Sequence, residues 1–265
     1  MMKKYAVIGT GNMGGALARA LRKRLPGESV ILYNRTPEKA RRLAEELGCA
    51  LADSAAAAVR QADYILLGVK PYMMQGAIDG LKSALRPDHV LVTMAPGITM
   101  EEVRAMAGVP CPVIRIMPNT PVSVGAGMTL YAADAYTQGD ILDTFLRDLS
   151  ASGRFALLPE RLMDAGSAIS GCGPAFADLF MEALADGGVA CGLPRAQALE
   201  LAAQMLVGAA SLALEGAHPG VLKDQVCSPG GTTIQGVRAL EKGGLRSAVM
   251  EAVIAAYEKS LAKLP

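Results

Sequence analysis

The sequence predicts an α/β domain followed by an all-helical one, and three observations carry that prediction. Short β-rich runs alternate with helix-patterned stretches from Tyr5 to about Leu158, which is how a mainly parallel sheet with crossover helices reads in sequence. The segment V7-I-G-T-G-N-M-G14 places a glycine triplet directly after the first run and at the start of a helical pattern. Beyond Pro159 the strand signals stop, and long Ala/Leu/Met-rich stretches with helical spacing take over. A chain of 265 residues has room for two cores, so domains are expected at 1–158 and 159–265.

The expected strands are Tyr5–Ile8, Val30–Tyr33, Tyr64–Val69, His89–Met94, Val113–Met117 and Met128–Ala132. In T36-P-E-K, Thr36 is read as a helix cap with Pro37 in the first turn, and Gly48 closes that helix. T99-M-E-E has the form of a capping box, with Glu102 three residues after Thr99. In the second half the expected helices are Pro174–Ala190, Pro194–Leu214, Thr232–Glu241 and Leu245–Leu264. The last of these sets Ala248, Val249, Ala252, Val253, Ala256 and Leu261 near one face. Helices so rich in small apolar residues expose much apolar area if left alone, which predicts a homodimer through this half.

Composition removes several classes of function. Lys and Arg number 26 against 25 Asp and Glu, without blocks of like charge, which argues against a nucleic-acid partner. The start M1-M-K-K-Y-A-V-I resembles a signal peptide only until Gly9 and Gly11 interrupt the apolar run, and it reads better as a first strand. Ala198–Leu214 contains Glu200 and Gln204 and lacks the roughly 18 uninterrupted apolar residues of a membrane span. A soluble, cytoplasmic protein is expected. Cys49, Cys111, Cys172, Cys191 and Cys227 are scattered, with no C-x-x-C pair and only two histidines in the chain. Neither a disulfide framework nor a metal site is expected, and the cysteines read as small buried apolar side chains.

The glycine triplet has the pattern of a Rossmann-type dinucleotide site. Gly9 permits the tight turn, Gly11 lets backbone approach a pyrophosphate, and Gly14 allows close helix packing, while Asn12 and Met13 open a helix whose amides face an anion. At the end of the second strand an NAD site places a carboxylate. Here Asn34, Arg35 and Thr36 stand there, a set suited to a 2′-phosphate. NADPH is therefore expected, with Arg35 as the charged contact and NADH as the alternative. Further turns at strand carboxyl ends bring Val69, Lys70, Pro71, Ala95, Pro96, Gly97 and Asn119 to the same crevice.

Few groups remain for proton transfer. His89 begins a strand and reads as a core residue, His218 reads as a loop or capping residue, and Lys70 lies on the cofactor side. A substrate that brings its own activation is expected, such as a protonated imine, whose carbon accepts hydride while its nitrogen needs only a hydrogen bond. For an imine that also carries a carboxylate, S228-P-G-G-T-T233 offers close backbone approach, unpaired amides at a helix start and two hydroxyls. The same residues also read as a plain helix-entry turn.

Taken together, I8-G-T-G-N-M-G14, V69-K-P71, A95-P-G97, R115-I-M-P-N-T-P121, S170-G-C-G-P-A175 and D224-Q-V-C-S-P-G-G-T-T-I234 resemble the pyrroline-5-carboxylate reductases, in that family's order along essentially the whole chain. The resemblance implies reduction of L-1-pyrroline-5-carboxylate to L-proline with NAD(P)H, the last step of proline biosynthesis. It also implies a helical substrate-binding and dimerisation domain, often assembled further into a decamer, with the substrate site at the dimer interface. Carried onto matching positions, the amides of Gly231, Thr232 and Thr233 would hold the substrate carboxylate, with Ser228 and Gly230 also binding substrate and the Thr233 hydroxyl on the ring nitrogen. Glu160 carries over as a substrate or cofactor contact. Three positions depart from the family pattern: Cys172 replaces serine, Phe176 replaces tyrosine, and Ser54, expected against adenosine, replaces asparagine. Two other readings compete with this one, a β-hydroxyacid-type dehydrogenase and a non-catalytic NADP-binding sensor.

Overall fold

The computed structural model describes residues 2–137 and 139–262. They divide into two compact units, Met1–Cys172 with Tyr257–Pro265, and Gly173–Ala256. In the first unit eight strands form one sheet: β1 (Tyr5–Ile8), β2 (Val30–Tyr33), β3 (Ala50–Leu51), β4 (Tyr64–Leu67), β5 (Val90–Thr93), β6 (Val113–Met117), β7 (Gly127–Ala133) and β8 (Gly153–Leu157). Their order is β3-β2-β1-β4-β5-β6-β7-β8. Neighbours run parallel except β6 and β7, where Ile114 faces Ala133 and Met117 faces Leu130 in an antiparallel pair. The chain leaves β1 towards β2 on one side and resumes at β4 on the other, so the carboxyl ends of β1 and β4 form the crevice where such sheets bind ligands.

Successive residues of the central strands alternate between two covered faces. Tyr5, Val7, Leu66, Val92 and Ile114 belong to one core, and Ala6, Ile8, Leu67, Leu91 and Val113 to the other. Burial on both faces explains why these strands are continuous apolar runs without a polar alternation. The crossover helices are α1 (Asn12–Arg22), α2 (Pro37–Leu47), α3 (Ala55–Arg60), α4 (Met74–Asp79), α5 (Met100–Ala107) and α6 (Asp140–Asp148). Leu17, Leu21, Leu43 and Phe145 pack from α1, α2 and α6 onto the first face, while Val59, Ile78 and Val103 pack from α3, α4 and α5 onto the second. At the amino ends of the strands Tyr5 stacks on Tyr64 at 4.8 Å and donates to Asp148 Oδ2 at 2.9 Å. Burial, reinforced by the Asp148 charge, pushes the Tyr5 phenol far above its ordinary pKa and keeps it a donor.

Two strands escape the sequence pattern. β3 is only two residues long, and β8 is a partly exposed edge strand that begins Gly-Arg and shows no clear alternation. β4 stops at Leu67, two residues short of expectation, because the chain turns at Gly68. Thr99 and Glu102 form the full capping box at α5, and Gly48 ends α2 in the left-handed region at φ 62°. Thr36 occupies the cap position of α2, but its side chain makes no capping bond. Its carbonyl instead accepts from Asn34 Nδ2 at 2.9 Å.

A short helix, α7 (Met163–Ser170), closes the long N-terminal segment of the first unit, and it too lacked a sequence signal. Beyond it lie α8 (Gly173–Ala190), α9 (Arg195–Leu214), α10 (Pro219–Val226), α11 (Thr232–Lys242) and α12 (Leu245–Leu261). The expected end of the last helix at Leu264 falls outside the described residues. His218 caps α10, its Nδ1 accepting from the Gly220 amide at 3.1 Å. α8 and α9 approach closely where Gly188 faces Ala198, an added Cβ there lying 3.1 Å from the alanine methyl. Yet in these helices only Ala185, Ala198 and Ala202 are buried, and Leu179, Leu201, Val207, Leu212 and Met250 stand exposed. α9 is long and apolar enough to cross a membrane by length and composition, despite Glu200, and is 11% buried over that window. Apolar helices this bare need a covering surface.

His89 is fully buried just before β5, with Nδ1 accepting from the Arg86 amide at 3.1 Å. Desolvation, aided by the Arg86 charge, lowers its pKa below the ordinary 6.5. Above that value folded and unfolded chains are both neutral here; below it the unfolded chain takes up a proton that the fold resists, so stability falls with pH. Thermal unfolding at pH 7.5 and 5.5 should show a smaller acid-induced drop in Tm for His89→Gln than for the parent.

Candidate active site

The carboxyl end of β1 is built from backbone. Gly9 has φ 99°, and its amide donates to the Tyr33 carbonyl at 2.8 Å. A Cβ on Gly9 would lie 2.6 Å from the Gly68 carbonyl oxygen, and one on Gly14 would lie 2.0 Å from the Gly9 carbonyl oxygen. Gly11 differs, since a Cβ there meets nothing within 4 Å. α1 begins immediately afterwards, without a side-chain cap and without an acidic residue in its first turn. Its opening amides, at Asn12, Met13 and Gly14, have no carbonyl one turn back, and the helix dipole adds positive potential. Thr10 Oγ1 is buried beside them with no hydrogen-bond partner.

Around this turn the cations cluster. A recess of about 310 Å³ is lined by Thr10, Gly11, Lys39 and Arg42, and one of about 200 Å³ by Asn34, Arg35 and Arg41. A third, of about 510 Å³, runs between Gly9, Arg35 and Val69 on one side and Tyr72 and Gly76 on the other. Together they fit a phosphorylated dinucleotide: a cradle open at Gly11, an unpartnered hydroxyl and unneutralised cations. Arg19 is the exception, paired with Glu46 at 2.6 Å. The sequence reading missed Lys39, Arg42 and Tyr72, although the spacing of Lys39 and Arg42 along α2 could have revealed the first two.

Several expected contacts turn out to be engaged elsewhere. Asn34 Oδ1 accepts from the Thr10 amide at 3.1 Å, tying β2 to the glycine turn. The Ser54 hydroxyl caps α3 by accepting from Ala57 at 3.1 Å. Asn119, 9% exposed, donates to the Ser170 carbonyl and accepts from the Met128 amide, each at 2.9 Å. Glu160 Oε1 accepts from the Met100 amide at 2.8 Å and lies 3.4 Å from Arg115 Nη1. These side chains brace the site's turns. Lys70, Pro96 and Gly97 are exposed, Val69 and Pro71 are half-buried, and Ala95 is buried.

In the second unit, Ser228 to Thr233 forms a turn into α11. Gly230 sits at φ 69°, and a Cβ on Gly231 would strike Ser228 Oγ at 2.3 Å. The Gly231 amide donates to the Ser228 carbonyl at 3.0 Å, so it is spent inside the turn and corrects the expectation that it holds a ligand. The amides of Thr232 and Thr233 open the helix without intrahelical acceptors. Both threonines are exposed, and the first turn holds no acidic residue.

Residues 160–263 match the family model described as pyrroline-5-carboxylate reductase dimerisation, and residues 4–97 match one described as NADP oxidoreductase, coenzyme F420-dependent. Over 264 residues the chain is 40% identical to the pyrroline-5-carboxylate reductase of Escherichia coli, covering 98% of each. The chain belongs to the pyrroline-5-carboxylate reductase family. A plant member, from Pisum sativum, is 39% identical and covers 96% of this chain and 93% of its own. Among solved structures of the family, one from Coxiella burnetii superposes with a TM-score of 0.90 at 30% identity over 98% of both chains. One from Plasmodium falciparum with NADP bound gives 0.86 at 30% identity over 97% of both. A 3-hydroxyisobutyrate dehydrogenase from Mycobacterium tuberculosis, 18% identical with a TM-score of 0.54, shares the fold over 71% of this chain.

Family membership explains the bare helices, because the matched dimerisation region makes the helical half a site of homo-oligomerisation. Cys172 and Cys191, expected to be buried, are exposed at helix ends of this region, where apolar side chains are also uncovered. Cys111 is buried and Cys49 half-buried, and burial raises both thiols, Cys49 to about 11, which favours the protonated form. Among the described residues no cluster of metal-ligating side chains occurs.

Gly14→Ala tests the glycine turn. Its methyl cannot avoid the Gly9 carbonyl, so urea denaturation should show a loss of about 1–3 kcal/mol, and titration should show NADPH binding lost in the fraction that remains folded.

Proposed function

We propose that this chain reduces L-1-pyrroline-5-carboxylate to L-proline with NADPH, NADH serving less well, as the last step of proline biosynthesis. The observation that carries the reading is the turn into α11, which sets two unspent amides beside two exposed threonine hydroxyls in a family whose named activity is this reduction. The bound dinucleotide supplies hydride. The remaining work is binding and orientation. Gly9, Gly11 and Gly14, with the amides of Asn12 and Met13, hold the pyrophosphate. Arg35 meets the 2′-phosphate, with Asn34 and Thr36 forming the wall beneath it. Ser54 borders the adenosine. Val69, Lys70, Pro71, Ala95, Pro96, Gly97 and Asn119 line the rest of the crevice as backbone or bracing groups.

The substrate's carboxylate is held by the amides of Thr232 and Thr233, where the α11 dipole favours negative charge. Ser228, Gly230 and Gly231 shape the turn that presents them. The Thr233 hydroxyl accepts from the protonated ring nitrogen, fixing the imine carbon for attack and holding the nitrogen as its charge is discharged. No general base is required, which agrees with His89 being buried and His218 being spent as a cap. A β-hydroxyacid dehydrogenase would instead need a lysine near the start of the helical half, where residues 159–194 contain Arg161 and no lysine. The nucleotide domain is assigned to 1–158 and the substrate and dimer domain to 159–265, in a soluble cytoplasmic homodimer that assembles further into a decamer.

Purified protein mixed with pyrroline-5-carboxylate should consume NADPH absorbance, and no consumption with either nicotinamide cofactor would sink the reading. Thr233→Val, which keeps the shape and removes the hydroxyl, should lower kcat/KM for the imine by about 10- to 100-fold, the worth of one hydrogen bond to a charged group. Arg35→Ala should raise KM for NADPH by about tenfold while leaving that for NADH within about twofold, as measured by initial rates.

A further inference from the structure

Arg115 lies on β6, its side chain 3% exposed, with Nη2 3.1 Å from Asp164 Oδ1 and Nη1 3.4 Å from Glu160 Oε1. A guanidinium this deep in a sheet is costly unless paired, and here two carboxylates pair it. The surplus negative charge has its own partner, because Glu160 Oε1 also takes the amide of Met100, the first residue of α5, where the helix dipole favours an anion. One carboxylate thereby joins β6 to the start of α5. Four residues beyond Arg115, Asn119 joins the turn after β6 to the last residue of α7 and to β7.

The two turns next to these contacts sit at carboxyl ends of adjacent parallel strands. The turn from Met94 to Gly97 runs from β5 towards α5, and the turn from Met117 to Pro121 leaves β6. With the pyrophosphate at β1 and the 2′-phosphate at β2, the far side of the switch point, where β5 and β6 end, is left for the nicotinamide half. We propose that Glu160 and Arg115 are positioning residues that hold these two turns in register for the nicotinamide end of the dinucleotide, Glu160 acting through Met100 and Arg115 through Glu160. In this role Glu160 acts through its Oε1 bond to Met100, where its sequence position suggested a direct substrate or cofactor contact. The inference rests on the cofactor reading above, not on the identity of the imine.

The test compares two ligands of one protein: NADPH, and 2′,5′-ADP, which carries the adenosine half without nicotinamide. Glu160→Ala should weaken NADPH binding by about tenfold while 2′,5′-ADP stays within about twofold of the parent. Glu160→Gln, whose side-chain oxygen still accepts from Met100, should recover most of the NADPH affinity. Equal losses for both ligands would make the pair merely structural, and unchanged NADPH affinity would leave it without a role; either result overturns the proposal. If Glu160→Ala fails to fold, Glu160→Asp, which keeps the charge but falls one methylene short of Met100, takes its place with the same two readings. A parent protein that binds NADPH but does not reduce pyrroline-5-carboxylate would refute the proposed activity and leave this comparison intact.

Discussion

At the carboxyl ends of β1 and β4, the backbones of Gly9, Gly14 and Gly68 approach so closely that none of the three positions has room for a side chain. The Gly68 amide donates to the Ile8 carbonyl, and the Gly9 amide donates to Tyr33 on the opposite strand, so three strands close on one point. That closure seats the first turn of α1 against the sheet and turns its free amides outward. The phosphate cradle, the β2-end cations and the crevice between β1 and β4 all take their positions from it. Because the contact is backbone against backbone, it cannot relax by a rotamer change, which suits a site that must hold its shape before the ligand arrives.

The two halves of the chain satisfy their apolar residues differently. In the α/β half both faces of the central strands are covered from within the chain, and those strands are buried nearly throughout. In the helical half small residues let α8 and α9 meet closely, while leucines, valines and methionines face outward. Such a surface belongs to a core shared between subunits. The stability of that half therefore depends on protein concentration as well as on sequence.

Local signals made most of this legible in advance. The apolar runs of β1, β2 and β6, the Thr99 capping box, the left-handed Gly48 and the glycine triplet each depend on a few neighbouring residues, and each stands where the sequence pattern predicts. Part of what escaped depends on partners distant in the chain, and part on turn geometry that residue spacing does not fix. β3 and β8 exist because a neighbouring strand offers hydrogen bonds, and β8 has little apolar alternation to announce it. Thr36 looks like a cap, but its side chain makes no capping bond. Arg115 is hidden in an apolar strand, and nothing near Glu160 in sequence announces that its Oε1 takes the amide of Met100, sixty residues away. The Gly231 amide looks free by position and is spent on Ser228.

Asn34 carries a consequence for any attempt to redirect the enzyme's cofactor use. In NAD sites a carboxylate stands at this strand end, so aspartate would be the obvious replacement. Here the amide works as a two-sided latch: its oxygen receives the Thr10 N–H, and its nitrogen gives to the Thr36 carbonyl. Aspartate could keep the first bond but would press a negative oxygen against that carbonyl, loosening the turn that carries Arg35 and straining the glycine loop together. Under the proposed cofactor reading, discrimination at the 2′-phosphate is thus coupled to the integrity of the binding scaffold, and a change towards NADH would more readily proceed through Arg35, Lys39 and Arg42, none of which ties two elements together.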